Sequence, residues 1–102
     1  MKIIWTDFAT KSLKAVFDYY AEYANSKVAH KIRKEILKST RRLSKHTEIG
    51  QTEFFLEKLN QTHRYIVSGN YKIIYRVEND KIIISDVFDT RQNPTKMNDE
   101  RR

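Results

Sequence analysis

The 102-residue sequence predicts an α+β fold in the order βααβββ, an N-terminal strand and a helical hairpin packed on a mainly antiparallel sheet. Three observations carry that prediction. Apolar residues recur at three- and four-residue steps from Phe8 to Leu43. From Arg64 onward, three β-branched and aromatic runs follow one another, parted by the two-residue turns Gly69-Asn70 and Asn79-Asp80. Only two Gly and one Pro interrupt the chain, which favours long regular elements.

Lys2-Ile3-Ile4-Trp5 reads as the first strand. Thr6 is placed to cap a helix, with Asp7 in its electropositive first turn. Phe8, Ala9, Leu13, Val16, Phe17, Tyr20, Tyr23 and Ala24 then mark one amphipathic face. Asn25-Ser26 breaks this helix, and Ser26 is the expected cap of the next, which spans about 27–46. On that second helix Val28, Ala29, Ile32, Ile36 and Leu43 share one side. Lys27, Lys31, Lys34, Lys38, Arg41, Arg42 and Lys45 fall in a sector of roughly 100° on the other. A tight antiparallel helical hairpin follows. For residues 47–62 a short helix and an irregular loop fit equally, with Phe54, Phe55, Leu56 and Leu59 expected to be buried.

The strands Arg64–Ser68, Tyr71–Glu78 and Lys81–Phe88, with tight turns, fix a register. Ser68 faces Tyr71, Ile66 faces Ile73, Val77 faces Ile82, Tyr75 faces Ile84 and Tyr71 faces Phe88, all on the face that packs on the helices. Tyr65, Val67, Lys72, Ile74, Arg76, Ile83, Ser85 and Val87 occupy the opposite, mixed face. Residues 1–94 are read as one domain and 95–102 as a polar, disordered tail.

The net charge of +7 is uneven. Between residues 27 and 45 eight basic side chains are opposed by Glu35 alone, and such a stripe suits an anionic partner or a solvated helix face. Lys31, Lys34, Lys38, Arg41, Arg42, Lys45 and, on the sheet, Arg76 are the candidate anion-binding residues. The absence of Cys excludes disulfides, thiolate metal sites and a Cys nucleophile. No stretch reaches the length of a membrane-spanning helix, so the expectation is a soluble cytoplasmic protein.

No phosphate-binding loop, dinucleotide fingerprint or nucleophile elbow is present, and no cofactor is expected. His30 and His46 are expected on exposed helix surface and His63 in a structural role, without ligand spacing. Asp86 and Asp89 alone do not make a metal site. On the free sheet face, cations and an exposed Tyr would suit a phosphate backbone and a stacked base. Metal-free RNA cleavage needs a base, a cation for the transition state and an acid for the leaving oxygen. Lys72, Arg91 and Tyr65 are the weak catalytic candidates, and pairing of Lys72 and Arg76 with Glu78 or Asp80 is the alternative reading.

The stretch GNYKIIYRV, a short turn and KIIISDVFDTRQNP, after a basic helical hairpin, resembles the RelE/ParE superfamily of bacterial toxins. The resemblance spans nearly the whole chain in element order. It implies a growth-inhibiting toxin of a type II toxin–antitoxin module, a class tied to plasmid stabilization, held inactive by an antitoxin that wraps over helices and sheet. RelE-like members cleave mRNA in the ribosome; ParE-like members poison DNA gyrase. Lys72 stands where the nucleases commonly carry an Arg, and Arg91 approximately matches the Arg after their last strand. The Tyr or His-Tyr expected near the C-terminus is replaced by Gln92-Asn93-Pro94-Thr95-Lys96-Met97. The resemblance therefore points to the ParE-like, gyrase-directed branch, with a ribosome-dependent nuclease as the alternative. A generic nucleic-acid-binding module using the basic helix is the second alternative.

Overall fold

The computed structural model describes residues 1–47, 49–53, 55–56 and 62–99. Its elements run β1 (Lys2–Trp5), α1 (Asp7–Tyr23), α2 (Ser26–Arg42), β2 (Gln51–Thr52), β3 (Arg64–Ser68), β4 (Tyr71–Glu78) and β5 (Lys81–Asp89). A turn of 3-10 helix, Pro94–Asn98, ends the described chain. The strands form one sheet in the order β1-β5-β4-β3-β2. β1 pairs parallel with β5, and every other neighbour is antiparallel.

Local signals explain most of the boundaries. The Thr6 hydroxyl accepts from the Ala9 N–H at 3.1 Å and so caps α1. Asn25, rather than the expected Ser26, caps α2, its side-chain oxygen accepting from the Val28 N–H at 2.9 Å. The helix ends at Arg42, four residues early, because the backbone tightens into i→i+3 bonds from Leu43 to Lys45. Gly69 and Asn79 open the two hairpin turns at φ +58° and +54°, a left-handed conformation these residue types accept.

Residues 47–62 contribute a strand that the sequence reading left open. β2 pairs with β3 through Gln51↔Tyr65 and Thr52↔Arg64. Of the four apolar residues expected to be buried there, Leu56 is, whereas Phe55 is 46 % exposed; Phe54 and Leu59 lie outside the described residues.

The predicted register holds from Ser68↔Tyr71 through Tyr75↔Ile84 and Val77↔Ile82, then shifts. A bulge between Ile74 and Tyr75 pairs Tyr71 with Asp89 and Lys72 with Phe88, so Tyr71 does not face Phe88. The extra residue, Ser85, folds back with its hydroxyl donating to the Ile74 carbonyl at 3.2 Å. An unbroken register would have set the Asp86 carboxylate opposite Ile73 in the apolar core. The bulge instead pairs it with Ile74 and leaves it accepting from the Ser12 hydroxyl at 3.2 Å. Beyond the bulge every side chain changes face, so Val87 joins the helix side and Phe88 the other.

The sheet consequently has a core on each face. Ala9, Ile36, Leu43, Tyr71, Ile73, Tyr75, Ile82, Ile84 and Val87 form the larger one beneath the helices. Leu56, Ile74 and Phe88 form a smaller one on the far face, with Tyr65 and Met97 against it. Met97 belongs to the segment expected to be a disordered tail; Asn93 caps its 3-10 helix and Pro94 starts it. Val77, placed on the helix-facing side by the register, is 44 % exposed near the hairpin tip.

Candidate functional site

Each of the three sequence-predicted cations on the sheet and its end meets a carboxylate. The Lys72 ammonium lies 2.9 Å from Glu53, whose side chain is 2 % exposed. It also sits 4.2 Å from the centre of the Tyr65 ring, a cation–π contact. Glu53 follows β2, whose pairing with β3 brings it under β4. Arg76 pairs with Glu78 at 3.2 Å, as the alternative reading had it, whereas the expected partner of Lys72 was on the wrong segment.

Arg91 closes a fork on Asp89, Nε to Oδ1 at 2.9 Å and Nη2 to Oδ2 at 2.8 Å, and its backbone N–H adds a third bond to Oδ1 at 2.9 Å. These hydrogen bonds hold the Asp89 carboxyl below the usual carboxylate range and raise the Arg91 guanidinium further above its own. Lys72 and Arg91 are not brought together. Lys72 is cross-strand from Phe88 on the far face, while Asp89, which holds Arg91, is cross-strand from Tyr71 on the helix side.

The fork stands at one end of an open groove of about 640 Å³ between α1 and the end of the sheet. Phe8, Ser12, Ala15 and Tyr19 line its helix wall, and Tyr71 and Val87 its floor. The Tyr71 hydroxyl donates to that of Tyr20 at 3.3 Å. Burial, then this bond, pushes the Tyr71 phenol well above its ordinary range, so the floor is neutral at physiological pH. Tyr19 stacks edge-on against Tyr20 at 5.2 Å and tilts onto Tyr23 at 4.9 Å. Tyr23 is 71 % exposed, so the helical periodicity that assigned it to the core fails at the end of α1. Wide, apolar and edged with aromatics, the groove suits a peptide segment better than a small charged substrate.

On α2, Lys27, Lys31, Lys34, Lys38, Arg41 and Arg42 are all exposed, and Lys45 continues the line in the following turn. Among the described residues none of the seven takes part in an ion pair. Arg33 lies off the stripe, its guanidinium 5.0 Å over the Phe17 ring. Arg76 is on the far face of the sheet and does not extend the stripe. His30 and His46 are exposed, and His63 is buried beside β2, its carbonyl accepting from the Glu53 N–H at 2.7 Å.

The sequence reading missed Glu53, Tyr19, Tyr20 and Tyr71 as site residues. The Asp89-x-Arg91 spacing was a readable signal, since i and i+2 at a strand end lie on one side. The Tyr20–Tyr71 bond joins residues 51 apart and had no local signal.

A family model described as the ParE toxin of the type II toxin–antitoxin system, parDE, matches residues 3–94. Among solved structures, a chain of the chromosomal ParDE toxin–antitoxin system from P. aeruginosa superposes with a TM-score of 0.74 at 20% identity, over 87% of this chain and 95% of that one. A comparison with curated proteins returns no match.

Proposed function

We infer the activity from one premise: the chain belongs to the ParE toxin family of type II toxin–antitoxin systems. It arrests growth by binding and inhibiting DNA gyrase, without chemistry of its own, and a cognate antitoxin segment seated in the α1–β5 groove holds it inactive. The observation that carries this reading is the state of the candidate catalytic cations. Stabilising a cleaving phosphate calls for a cation free to meet new negative charge beside a base and an acid. Lys72, Arg76 and Arg91 each already meet a carboxylate, and Lys72 and Arg91 belong to opposite faces of the sheet. Tyr65 touches Lys72, but its hydroxyl donates to Gln51 at 3.1 Å. A surface that works by binding needs none of these groups free.

The test is incorporation of labelled amino acid in the first minutes after induction without antitoxin, beside a supercoiling assay with purified gyrase. Continued synthesis together with inhibited supercoiling is expected. Prompt collapse of synthesis with gyrase unaffected would overturn the reading in favour of the ribosome.

A further inference from the structure

We propose that the cationic stripe of α2 is a docking surface for the phosphate backbone of duplex DNA. Lys27, Lys31, Lys34, Lys38, Arg41, Arg42 and Lys45 recur every three or four residues and are all exposed. From Lys27 to Arg42 the helix rises about 22 Å, at 1.5 Å per residue. Phosphates on one strand of a duplex follow at about 3.4 Å along the axis, so the stripe spans several of them.

Helix stability does not account for the pattern. Like charges three and four residues apart work against a helix. Lys27 stands in the first turn, where the helix dipole disfavours a cation. Only Arg41 and Arg42, in the last turn, suit the dipole. Among the described residues no carboxylate forms an ion pair with any of the seven, and Glu35 is the one acid between residues 27 and 45. A charge pattern that opposes its own helix is explained by a partner that neutralises it.

Composition selects the partner. Stable protein–protein contacts rest on buried aromatic or aliphatic anchors and are depleted in Lys. α2 exposes no large hydrophobic side chain; those that are exposed, Tyr19 and Tyr23 among them, lie on other elements. Single-stranded nucleic acid is held by aromatic stacking platforms, which the stripe lacks. A row of flexible cations without anchors matches a duplex backbone. The choice of a duplex phosphate backbone stands on α2 alone; the choice of DNA over RNA rests on the gyrase reading.

The full-length toxin is titrated into a labelled 20-base-pair DNA duplex, an RNA duplex of the same sequence and polyglutamate, by fluorescence anisotropy between 50 and 200 mM salt. Contacts to about four to six phosphates give a slope of log K against log salt of about −3.6 to −5.4, a loss of about 10²- to 10³-fold across that range. Replacing Lys34, Lys38 and Arg41 by Gln should flatten the slope by about 2.7 and leave the circular-dichroism melt no lower than that of wild type. An unchanged slope in that variant, or no binding to DNA at 50 mM salt, overturns the proposal. Polyglutamate bound as tightly as DNA, through the same three residues, reassigns the stripe to an acidic protein segment. Tighter binding to RNA reassigns it to the ribosome and tells against the gyrase reading. Stripe-dependent DNA binding with supercoiling left intact removes gyrase while keeping the DNA surface.

Discussion

Lys72→Met should cost this protein its stability rather than a catalytic group, and the difference is measurable. Lys72 is 21 % exposed, and its partner Glu53 is almost wholly enclosed. Removing the cation leaves a buried carboxylate without its counter-charge, which costs about 3–5 kcal/mol when the pair is fully buried. The partial exposure of Lys72 places this pair at the lower end, about 3 kcal/mol, and the cation–π attraction to the Tyr65 ring disappears with the ammonium. A domain of this size loses about 4–8 °C of melting temperature per kcal/mol, so the expected fall is about 12–24 °C. That is a large part of a total stability of about 5–15 kcal/mol, and toxicity would fall simply because less protein is folded. The double substitution Glu53→Met/Lys72→Met separates the two explanations. Replacing both ions by unbranched apolar side chains removes the stranded charge, and such replacements are often neutral or stabilising. Urea unfolding of wild type, both single variants and the double variant closes the cycle. The double variant should regain most of the stability and remain toxic. A Lys72→Met variant within about 0.5 kcal/mol of wild type that has lost toxicity would refute the argument and return Lys72 to the catalytic candidates.

The remaining predictions concern the groove and the loop that closes the sheet. Arg91 depresses the Asp89 carboxyl, so its contribution to stability is present above the unfolded value near 3.9 and is lost as pH falls through the lower folded value. Asp89→Asn should flatten the acid limb of a stability–pH curve, while Tyr71→Phe should flatten the alkaline limb above about pH 10, because the Tyr71 phenol is raised on folding. The Tyr75 hydroxyl donates to the Thr47 carbonyl at 2.8 Å and accepts from the Gly50 N–H at 3.0 Å, so Tyr75→Phe should cost about 1–3 kcal/mol in urea unfolding. A Cβ at Gly50 would meet the same hydroxyl, the Tyr75 ring carbon at 2.7 Å and the Tyr65 carbonyl at 2.9 Å, so Gly50→Ala should lose a similar amount and Gly50→Ser no less.

The elements that declared themselves in the sequence are those whose signal is local. Caps, helical periodicity and two-residue turns place α1, α2 and the β3–β5 meander to within a few residues. The exceptions have identifiable causes. The bulge falls where Ser85 and Asp86 follow the apolar triplet Ile82, Ile83 and Ile84, and alternation alone cannot say whether the strand buries Asp86 or steps past it. β2 is two residues long, too short for any period to show. Tyr23 is the last residue of α1, where its place on the apolar face brings it against the Tyr19 ring and leaves it largely exposed. The site was legible where it is a single-helix property, as with the α2 stripe, and not where it depends on pairing. Glu53 reaches Lys72 only because β2 docks on β3.

Those pairings also account for where the binding surfaces lie. The far face of the sheet, where the resemblance to the nucleases would put a catalytic cation, is occupied by the small core of Leu56, Ile74 and Phe88 and by the neutralised Lys72–Glu53 pair. The helical side carries a groove with a neutral phenolic floor and, on the next helix, a cationic stripe. The two surfaces work through different physics. Burial of apolar area in the groove is insensitive to moderate salt or strengthened by it, whereas a phosphate contact weakens steeply as counterions are added. A partner held in the groove should therefore stay bound at salt concentrations that strip the stripe of nucleic acid. If the antitoxin segment occupies the groove and an anionic polymer the stripe, as proposed, the two can be displaced independently of one another.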